Sequence, residues 1–481
     1  MTASEAFPDM VTNGQKRATK IVATLGNVSS DPDSLRRLIE AGVNVFRLNF
    51  SHGTQEEQGA RIDAIRQIET ETGIPTCILA DMQGPKYRIG EVADGVDIKA
   101  GDQITFDQDK AIGSATRVGM PHPEIFAAMY PGARFLMDDG KLVLVVKSLN
   151  DDSFVAEVVV GGSLKSRKGV NIHNIVLDTK PLTDKDMSDL EFALSKNVDW
   201  VALSFVQRAS DMVEARALVG KRAALMAKIE KPSALKELGA IIEASDGIMV
   251  ARGDLGVELP PEDVPAWQKK IIAKCRMVGK PVVVATQMLE SMITAPAPTR
   301  AEASDVAGAV FDGTDAVMLS AETAAGQYPI ESVEIMARIV RAAETHIRED
   351  AASKHAQLPV EPTVYHAVAR ASVALADAVD ADVMVAFSTS GNTAIRIARE
   401  RPDTPFIVMT PHMEVQRRLA ILWGTTTAHS AYSQDFENAI AEAADLVRKN
   451  GMASNGGHIV VVAGMPFGIA GTTNSMRVVR I

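Results

Sequence analysis

AALMAKIEKPSALKELGAIIEASDGIMVARGD, residues 223–254, contains two short apolar runs separated by a polar turn and a helical pattern. The runs AALMAKIE (223–230) and DGIMVARGD (246–254) have the length and apolar content of buried β-strands. The segment between them is long enough for the crossover helix that joins parallel strands. The stretch therefore predicts a βαβ unit.

The same alternation recurs on both sides of this stretch. Apolar runs precede it at 18–26, 43–50, 75–82 and 199–205, and others follow it at 281–287 and 315–322. Three runs before residue 85 and five after residue 182 make eight βα units, which predict a closed (β/α)₈ barrel. A doubly wound open sheet is the rival fold. The number of units, and the absence of G-x-G-x-x-G after the first strand, count against it.

Two further regions complete the predicted architecture. Residues 86–178 give short alternating segments such as DQITFD and SFVAEVVVGG, which predict an all-β lid inserted after strand three. Residues 346–481 alternate strand and helix patterns again and predict a smaller C-terminal α/β domain. We therefore expect residues 1–85 and 179–345 to form the barrel.

Composition limits the classes of function. A net charge of −11 over 481 residues argues against nucleic acid or an anionic membrane surface as partner. The two cysteines lie in apolar stretches and do not indicate a disulfide framework. The N-terminus lacks the apolar core of a secretory signal, and no apolar run reaches the roughly 18 residues of a membrane span. These observations predict a cytoplasmic enzyme or binding protein.

Polar residues follow every predicted barrel strand, and active sites of such barrels lie at the carboxyl ends of the strands. One polar residue at a strand end usually caps the next helix, but eight strands in succession indicate a shared pocket. In strand order the residues are Thr24; Arg47, Asn49, Ser51 and His52; Asp81 and Arg88; Ser204; Lys228 and Glu230; Arg252, Gly253 and Asp254; Thr286 and Gln287; Ser320 and Glu322.

Glu230 and Asp254 are the candidate metal ligands. They end neighbouring strands, which lie roughly 5 Å apart, so two carboxylates can bind one Mg²⁺ that keeps other positions for water and substrate. The alternative is a pair of salt bridges, of Glu230 with a nearby lysine and of Asp254 with Arg252. Lys228 and Arg47 share the same face and favour a phosphate–metal site.

Phosphoryl transfer needs positioning and positive charge more than covalent help, and Lys228 and Arg47 supply that charge. The sequence contains neither a G-x-x-x-x-G-K-[ST] phosphate loop nor the protein-kinase signature set. A phosphotransferase with this sequence must use another architecture.

The motifs resemble those of the pyruvate kinase family. NVFRLNFSHG (44–53), AKIEK (227–231), MVARGDLGVE (249–258), ATQMLESM (285–292) and VMLSAETAAG (317–326) occur in the family's order. The β insertion and the C-terminal domain extend the resemblance over nearly the whole chain. The resemblance implies a barrel enzyme that transfers the phosphoryl group of phosphoenolpyruvate to ADP, giving pyruvate and ATP, with Mg²⁺ or Mn²⁺ as cofactor.

The resemblance also implies roles for individual residues. Arg47 and Lys228 would hold and stabilise the phosphoryl group, and Glu230 and Asp254 would bind the metal. Gly253, Asp254 and Thr286 would meet the substrate, with Thr286 near the enolate carbon. The remaining assignments are Asn49, His52, Arg88 and Lys168 at the nucleotide, and Ser320 and Glu322 in a proton relay.

One departure from the family pattern concerns the monovalent cation. Many members need K⁺ and carry a glutamate where this chain has Lys86; the family's K⁺ ligands match Asn49, Ser51, Asp81 and Met82. A lysine ammonium near Asp81 would replace K⁺ electrostatically. We therefore expect activity that does not require K⁺. The alternative is that Lys86 points to solvent and the cation site survives.

The C-terminal domain carries a candidate effector site. Thr389, Ser390, Gly391, Asn392 and Thr393 connect a strand to a helix, where hydroxyls and backbone N–H groups can bind an anion. The loop resembles the family's effector loop and predicts a phosphorylated allosteric ligand, with GMPFGIAGTTNSMRV (464–478) as a facing wall. A plain capped turn is the alternative. A homotetramer is expected from the family alone.

Two other functions compete with this interpretation. A metal-dependent aldolase that handles phosphoenolpyruvate or pyruvate would also use a Glu/Asp metal pair, but it does not account for the lid or for Lys228. A catalytically dead barrel kept as a binding scaffold would have lost Lys228, Glu230 or Asp254, and all three are present.

Overall fold

The protein is described from a computed structural model. It covers residues 17–481 apart from 139, 151, 174, 178, 351–357, 360, 431–434 and 467–471. The expectations for the N-terminal 16 residues and for part of the wall at 464–478 fall outside the described residues. Where the chain is described, no helix is both long enough and apolar enough to cross a membrane.

The first half of the barrel follows the predicted strand–helix alternation. Strands β1 (Lys20–Thr24), β2 (Val45–Asn49) and β3 (Cys77–Asp81) are separated by helices α1 (Pro32–Ala41) and α2 (Gln55–Thr72). Asp31 caps α1 by accepting a hydrogen bond from the Ser34 amide, and Gly42 ends the helix at φ 118°, a conformation that glycine adopts without strain. Thr54 and Glu57 form a capping box on α2.

The lid interrupts the barrel after β3. Its strands are β4 (Asp97–Ile98), β5 (Gln103–Asp107), β6 (Arg117–Gly119), β7 (Arg134–Met137), β8 (Leu142–Leu149), β9 (Ser153–Val160), β10 (Gly162–Ser163) and β11 (Val170–Ile172). Six of them form one sheet in the order β11-β7-β8-β9-β5-β6, and β10 pairs with β4. The sequence did not predict a short helix in the lid, α3 (Pro123–Ala128). Phe106, Phe135 and Phe154 pack ring against ring in the lid core.

The second half supplies the other five barrel strands. They are β12 (Trp200–Leu203), β13 (Ala224–Ile229), β14 (Gly247–Ala251), β15 (Val282–Ala285) and β16 (Ala316–Leu319). The intervening helices are α4 (Asp184–Ser195), α5 (Ala209–Val219), α6 (Pro232–Lys236), α7 (Leu238–Ala244), α8 (Arg252–Glu258), α9 (Val264–Val278), α10 (Arg300–Asp312), α11 (Ala321–Ala324) and α12 (Pro329–Glu349).

All eight barrel strands are parallel and close in the order β1-β16-β15-β14-β13-β12-β3-β2. This confirms the predicted barrel. One apolar cluster fills the layer between strands and helices, and a second fills the barrel interior. The interior cluster includes Ile421 of the C-terminal region, which packs with Trp200 and Ala224 at the start of their strands. The opposite end of the barrel, where the strands finish, carries the polar residues.

The C-terminal region forms a five-stranded sheet with helices around it. Its elements are α13 (Val364–Ala378), β17 (Val383–Phe387), α14 (Asn392–Glu400), β18 (Phe406–Thr410), α15 (Met413–Leu419), β19 (Thr425–His429), α16 (Phe436–Lys449), β20 (His458–Gly464) and β21 (Thr473–Arg480). The strand order is β19-β18-β17-β20-β21, with β21 antiparallel to β20. This confirms the predicted C-terminal α/β fold.

Candidate active site

Lys228 lies at the centre of the polar cluster, near the carboxyl end of β13. Its ammonium donates to Ser204 Oγ at 2.7 Å and forms ion pairs with Asp81 Oδ1 at 3.2 Å and Glu230 Oε1 at 3.0 Å. Alternation along the strand places Lys228 and Glu230 on one face, as their two-residue spacing predicts. Both are buried, so the ammonium is held in one position by three oxygen atoms.

Arg47 joins this cluster from β2. Its Nε donates to Asp81 Oδ2 at 2.7 Å and its Nη1 to Thr24 Oγ1 at 3.0 Å. Asp81 therefore lies between two cations, one on each carboxylate oxygen. The sequence indicated Asp81 only as a monovalent-cation ligand, and Ser204 only as a polar strand end. Their contacts with Lys228 become visible only when β3, β12 and β13 are adjacent.

The buried charges shift one another's pKa values. Burial alone would lower the pKa of Lys228, but Asp81 and Glu230 outweigh it and hold that pKa above its ordinary value. Burial would raise the pKa of Asp81, yet Lys228 and Arg47 keep it below its ordinary value. Lys228 is therefore an ammonium and Asp81 a carboxylate at neutral pH.

Glu230 differs from Asp81, because burial raises its pKa and the nearby charge of Asp254 adds to the rise. Glu230 Oε1 faces Lys228, and Oε2 accepts a hydrogen bond from the Phe205 amide at 2.6 Å. Where the chain is described, the Asp254 carboxylate makes no hydrogen bond or ion pair. Two repelling carboxylates, one without a partner, fit a divalent cation that would reduce the repulsion.

The donor set limits which metal fits. Among the described residues, no group of three or more His, Cys, Asp or Glu side chains could hold an ion. Two carboxylates suit Mg²⁺, which retains several waters and substrate oxygens, better than Zn²⁺, which needs more protein ligands. Of the two alternative salt bridges, that of Glu230 with Lys228 forms at 3.0 Å. That of Asp254 with Arg252 does not form, because Arg252 pairs with Asp305 at 2.6 Å.

Gly253 and Thr286 meet beside Asp254. The Gly253 amide donates to Thr286 Oγ1 at 2.7 Å, joining the end of β15 to the start of α8. Thr286 and the following Gln287 have φ values of 69° and 55°, in the left-handed region that is unfavourable for a β-branched residue. Such conformations persist only where the surroundings impose them, and they concentrate at functional sites.

Ser320 and Glu322 follow the last strand. Glu322 is buried and accepts hydrogen bonds from the Ser320 amide at 2.7 Å and the Leu289 amide at 3.1 Å. Ser320 Oγ is buried and has no hydrogen-bond partner among the described residues. A hydroxyl without a partner is free to bond a water or a substrate atom.

Three of the predicted nucleotide residues lie on the lid, at its entry or on the barrel rim, and the fourth, Asn49, lies beside Asp81 of the Lys228 cluster. The Lys168 ammonium pairs with Asp138 Oδ1 at 2.6 Å within the lid. Arg88 is exposed where the chain enters the lid, and its Nη1 donates to the Arg167 carbonyl at 2.9 Å. His52 and Ser51 are exposed on the rim, while Asn49 pairs in register with Asp81 and accepts from the Ser51 amide at 3.1 Å.

Lys86 lies on the connection from β3 to the lid and is exposed. Its Cε is 3.5 Å from where a Cβ on Gly169 would stand, so the side chain rests against the lid. Within the described part of the chain it forms no ion pair, and the Asp81 carboxylate is occupied by Lys228 and Arg47.

A contact between lid and barrel escaped the sequence analysis. Glu258, buried at the end of α8, pairs with Lys231 and accepts from Asn171 Nδ2 of β11 at 3.1 Å. Glu258 lies four residues after Asp254, a helical spacing that could have marked it. Its lid partner is 87 residues away and could not be inferred from local spacing.

The candidate effector loop joins β17 to α14. Gly391 has φ 84° and its amide donates to Ser388 Oγ at 3.0 Å. Thr393 Oγ1 lies 2.7 Å from Thr473 Oγ1, both buried, so this hydroxyl points toward β21. The loop is thus a turn at a helix start whose N-cap residue, Gly391, provides no side-chain cap.

Comparison with known proteins identifies consistent relatives. The family model "Pyruvate kinase, barrel domain" matches residues 16–333, and "Pyruvate kinase, alpha/beta domain" matches residues 366–479. A pyruvate kinase of Agrobacterium vitis is 50% identical over 467 residues, covering 97% of each chain. One of Methylorubrum extorquens is 46% identical over 465 residues, covering 96% of this chain and 97% of the relative. The crystal structure of a Cryptosporidium parvum pyruvate kinase superimposes with a TM-score of 0.90 at 34% identity, over 96% of each chain.

Proposed function

The chain belongs to the pyruvate kinase family and is therefore a phosphotransferase, and on that premise we propose how its residues divide the reaction. Phosphoenolpyruvate binds at the carboxyl ends of the barrel strands, and its phosphoryl group passes to ADP, giving pyruvate and ATP. The observation that carries the proposal is the Lys228 ammonium, held by Asp81, Glu230 and Ser204 beside the unpartnered Asp254 carboxylate.

Arg47 and Lys228 hold the phosphoryl group during transfer. Both are buried and fixed by ion pairs, so their positive charges face the moving group without reorganisation. Glu230 and Asp254 would hold Mg²⁺ or Mn²⁺, which supplies further positive charge to the phosphoryl oxygens when bound. The Gly253 amide and Thr286 position the substrate carboxylate and the enolate.

Proton delivery completes pyruvate. Once the phosphoryl group leaves, the enolate carbon accepts a proton, and Thr286 lies next to the position proposed for it. Ser320 and Glu322 relay that proton. The unpartnered Ser320 hydroxyl and the buried Glu322, bonded to the Ser320 amide, support this assignment.

Asn49, His52, Arg88 and Lys168 bind the nucleotide after the lid approaches the barrel. Lys168 lies on the lid and Arg88 at its entry, whereas Asn49 and His52 lie on the barrel rim. Movement of the lid brings the two groups together around the ADP phosphates. The domains we propose are the barrel at 1–85 and 179–345, the lid at 86–178 and the C-terminal domain at 346–481.

The decisive experiment measures pyruvate formation from phosphoenolpyruvate and ADP with Mg²⁺, and aldol cleavage products in the same sample. We expect pyruvate and ATP in equal amounts, and no product after the metal is chelated. Aldol products without ATP would favour the aldolase, and no turnover with any nucleotide would favour the binding scaffold.

Activity without K⁺ is the second part of the proposal: the Lys86 ammonium, which forms no ion pair with any described residue, would leave its place against Gly169 and supply the positive charge near Asn49, Ser51 and Asp81. The test compares initial rates with and without K⁺ for the parent, Lys86→Glu and the exposed control Lys269→Glu. We expect only Lys86→Glu to depend on K⁺. A Lys86→Glu enzyme that matches the parent at every K⁺ concentration would contradict the proposal.

The remaining proposals concern regulation and setting. A phosphorylated ligand binds the loop formed by Thr389, Ser390, Gly391, Asn392 and Thr393. The chain assembles as a homotetramer, and the enzyme acts in the cytoplasm. Equilibrium dialysis with sugar phosphates and nucleotides tests the loop, with Thr389→Ala as the comparison. If neither the parent nor the variant binds any of these ligands, the loop is a capped turn only.

A further inference from the structure

A second cavity lies at the end of the barrel opposite the Lys228 cluster. It has a volume of about 580 Å³, within the range of small-molecule sites. Trp200 and Ala224, the first residues of β12 and β13, form its barrel side, and Ile395 and Leu419 of α14 and α15 form its C-terminal side. The cavity therefore lies between two parts of the chain.

Positive charge dominates the lining. Two carboxylates, Asp246 and Glu361, face the cavity together with six cationic side chains: Arg216, Lys221, Lys280, Arg396, Arg399 and Arg418. The chain as a whole carries a net charge of −11. A local excess of cations in an acidic protein indicates an anionic ligand.

Three of the six cations are already satisfied. Lys280 donates to the carbonyls of Ile242, Glu243 and Ser245. Arg216 pairs with Asp246 at 2.5 Å. Arg399 is buried, pairs with Glu400 at 2.9 Å and donates to the Met277 and Pro359 carbonyls. These three side chains join the walls of the cavity and have little capacity left for a ligand.

The other three retain unused donors. Arg396 lies 3.9 Å above the ring of Tyr365, and its Nη1 is buried without a hydrogen-bond partner in the described structure. Burial lowers the pKa of Arg396, and Tyr365 and Glu361 offset this effect only in part. Arg418 Nε is likewise buried and unpartnered, although its Nη2 donates to the carbonyls of Lys221 and Arg222.

Lys221 completes the set. It is exposed at the edge of the cavity and forms no ion pair with any described residue. Guanidinium groups bind phosphate and carboxylate oxygens with paired hydrogen bonds, and those of Arg396 and Arg418 line the cavity. Ile395, Leu419 and Ile421 line the same cavity with apolar surface.

We propose that this cavity binds a small organic anion, with its phosphate or carboxylate head on Arg396, Arg418 and Lys221 and a flat apolar body against Ile395 and Leu419. The site is separate from the hydroxyl of Thr393, which turns to Thr473, although Ser390 and Asn392 of the same loop line the cavity. The bound anion contacts barrel and C-terminal region at once and stabilises their contact. This inference does not depend on the proposed catalytic assignments.

Calorimetric titration of the full-length protein in phosphate-free buffer tests the site. The probes are phenyl phosphate, benzoate, phenol and inorganic phosphate. We expect phenyl phosphate or benzoate to bind and to raise the thermal unfolding midpoint, and phenol to do neither. Whichever of the two binds more tightly identifies the head group, while binding by inorganic phosphate alone would overturn the apolar part of the proposal.

Variants locate the binding. Arg396→Gln and Arg418→Gln should each weaken it at least tenfold, and Lys221→Gln, a change at an exposed position, should weaken it severalfold. Arg448→Gln, on an exposed arginine of α16, is the matched control and should bind as the parent does. Lys228→Met should also retain binding, because its change lies at the other end of the barrel. Loss of binding in Lys228→Met, parental binding in the three cavity variants, or failure of every anion to bind would each overturn the proposal.

Discussion

At the scale of single residues, the ion pairs around Lys228 set the charge of the site. Two cations and two carboxylates are buried within hydrogen-bonding reach, and a third carboxylate, Asp254, lies nearby without a partner among the described residues. Buried ions of this kind are costly unless each is paired. Asp254 is half-buried and makes no ion pair with any described residue, which is consistent with the divalent cation proposed above.

Lys228→Met tests the role of that ammonium. We expect kcat to fall by about 10²–10³-fold, because a fixed charge facing the transferred group is worth about 3 kcal/mol in the transition state. The KM for phosphoenolpyruvate should change much less, since in the proposed mechanism Arg47 would still bind the phosphoryl group. Steady-state kinetics provide the measurement. Lys196→Met, which alters an exposed pair with Asp63, should keep parental kinetics.

The two cysteines give a test of burial. Cys77 and Cys275 are buried, and burial raises the pKa of each thiol above its ordinary value. Since the thiolate is the reactive form, neither should react with a disulfide reagent at pH 8 in the native protein. We expect two reactive thiols per chain in denaturant. Rapid reaction of either thiol in the folded protein would contradict the structure.

The sequence predicted much of this residue chemistry, within limits that have a physical cause. Lys228 with Glu230 could be found because spacing along one strand fixes which side chains share a face. The ion-pair partner of Arg252 could not be found from the sequence, because Asp305 lies on a different element. Ser204 and Asp81 likewise gain their roles from strands that become neighbours only after folding. The position of Lys86 against Gly169 depends on where the lid lies.

At the scale of elements, the barrel strands were predictable because their runs are apolar on both faces. A strand buried against both the barrel interior and the helices must be apolar nearly throughout. In β13 all residues are buried, including the single charged one, Lys228. The helix α3 of the lid was not predicted, because its six residues are too few to establish a helical period.

The capping of α10 gives a prediction at this scale. Glu302 accepts hydrogen bonds from the amides and hydroxyls of Ser291 and Thr299, tying the helix start to the segment after β15. Glu302→Gln removes the charge from this arrangement and should lower stability by about 1 kcal/mol at pH 7. Glu331→Gln, an exposed change in the first turn of α12, is the control.

The loss of stability caused by Glu302→Gln should depend on pH in a defined direction. Burial would raise the pKa of Glu302, but hydrogen bonds from Ser291 and Thr299 outweigh it and lower the pKa below the ordinary 4.5. The stabilisation is therefore present above pH 4.5 and disappears as the pH falls through the lowered value. Thermal unfolding midpoints of parent and variant should converge in acid. A constant difference down to pH 3 would contradict the assignment.

At the scale of the whole molecule, buried polar contacts join the barrel to the C-terminal region. Asp315, just before β16, pairs with Arg401 at 3.1 Å and accepts from the Trp423 amide at 3.2 Å. The Arg401 guanidinium lies 4.8 Å from the centre of the Trp423 ring. Glu69 of α2 pairs with Arg417 of α15. The C-terminal region is therefore fixed to the barrel by charges as well as by Ile421.

Asp315→Asn should weaken this attachment. Removing one partner of a buried ion pair costs about 3–5 kcal/mol, because the other charge stays buried without compensation. We expect a lower midpoint for the first thermal transition and earlier separation of the C-terminal region in calorimetry. Asp445→Asn, which alters an exposed pair with Arg448, should leave both transitions unchanged. Equal effects of the two variants would show that the interface does not depend on Asp315.

Closure of the barrel also constrains the order in which the chain can fold during its synthesis. Lys20 of β1 pairs in register with Ala316 of β16, so the first strand to leave the ribosome finds one of its two neighbours among the last barrel residues to be made. At roughly 5–20 residues per second, β1 waits on the order of tens of seconds with one edge unpaired. The lid, whose described strands pair with one another and not with the barrel strands, can fold during that delay. Nascent chains that end before residue 316 must therefore expose apolar strand edges, and chaperones should bind them.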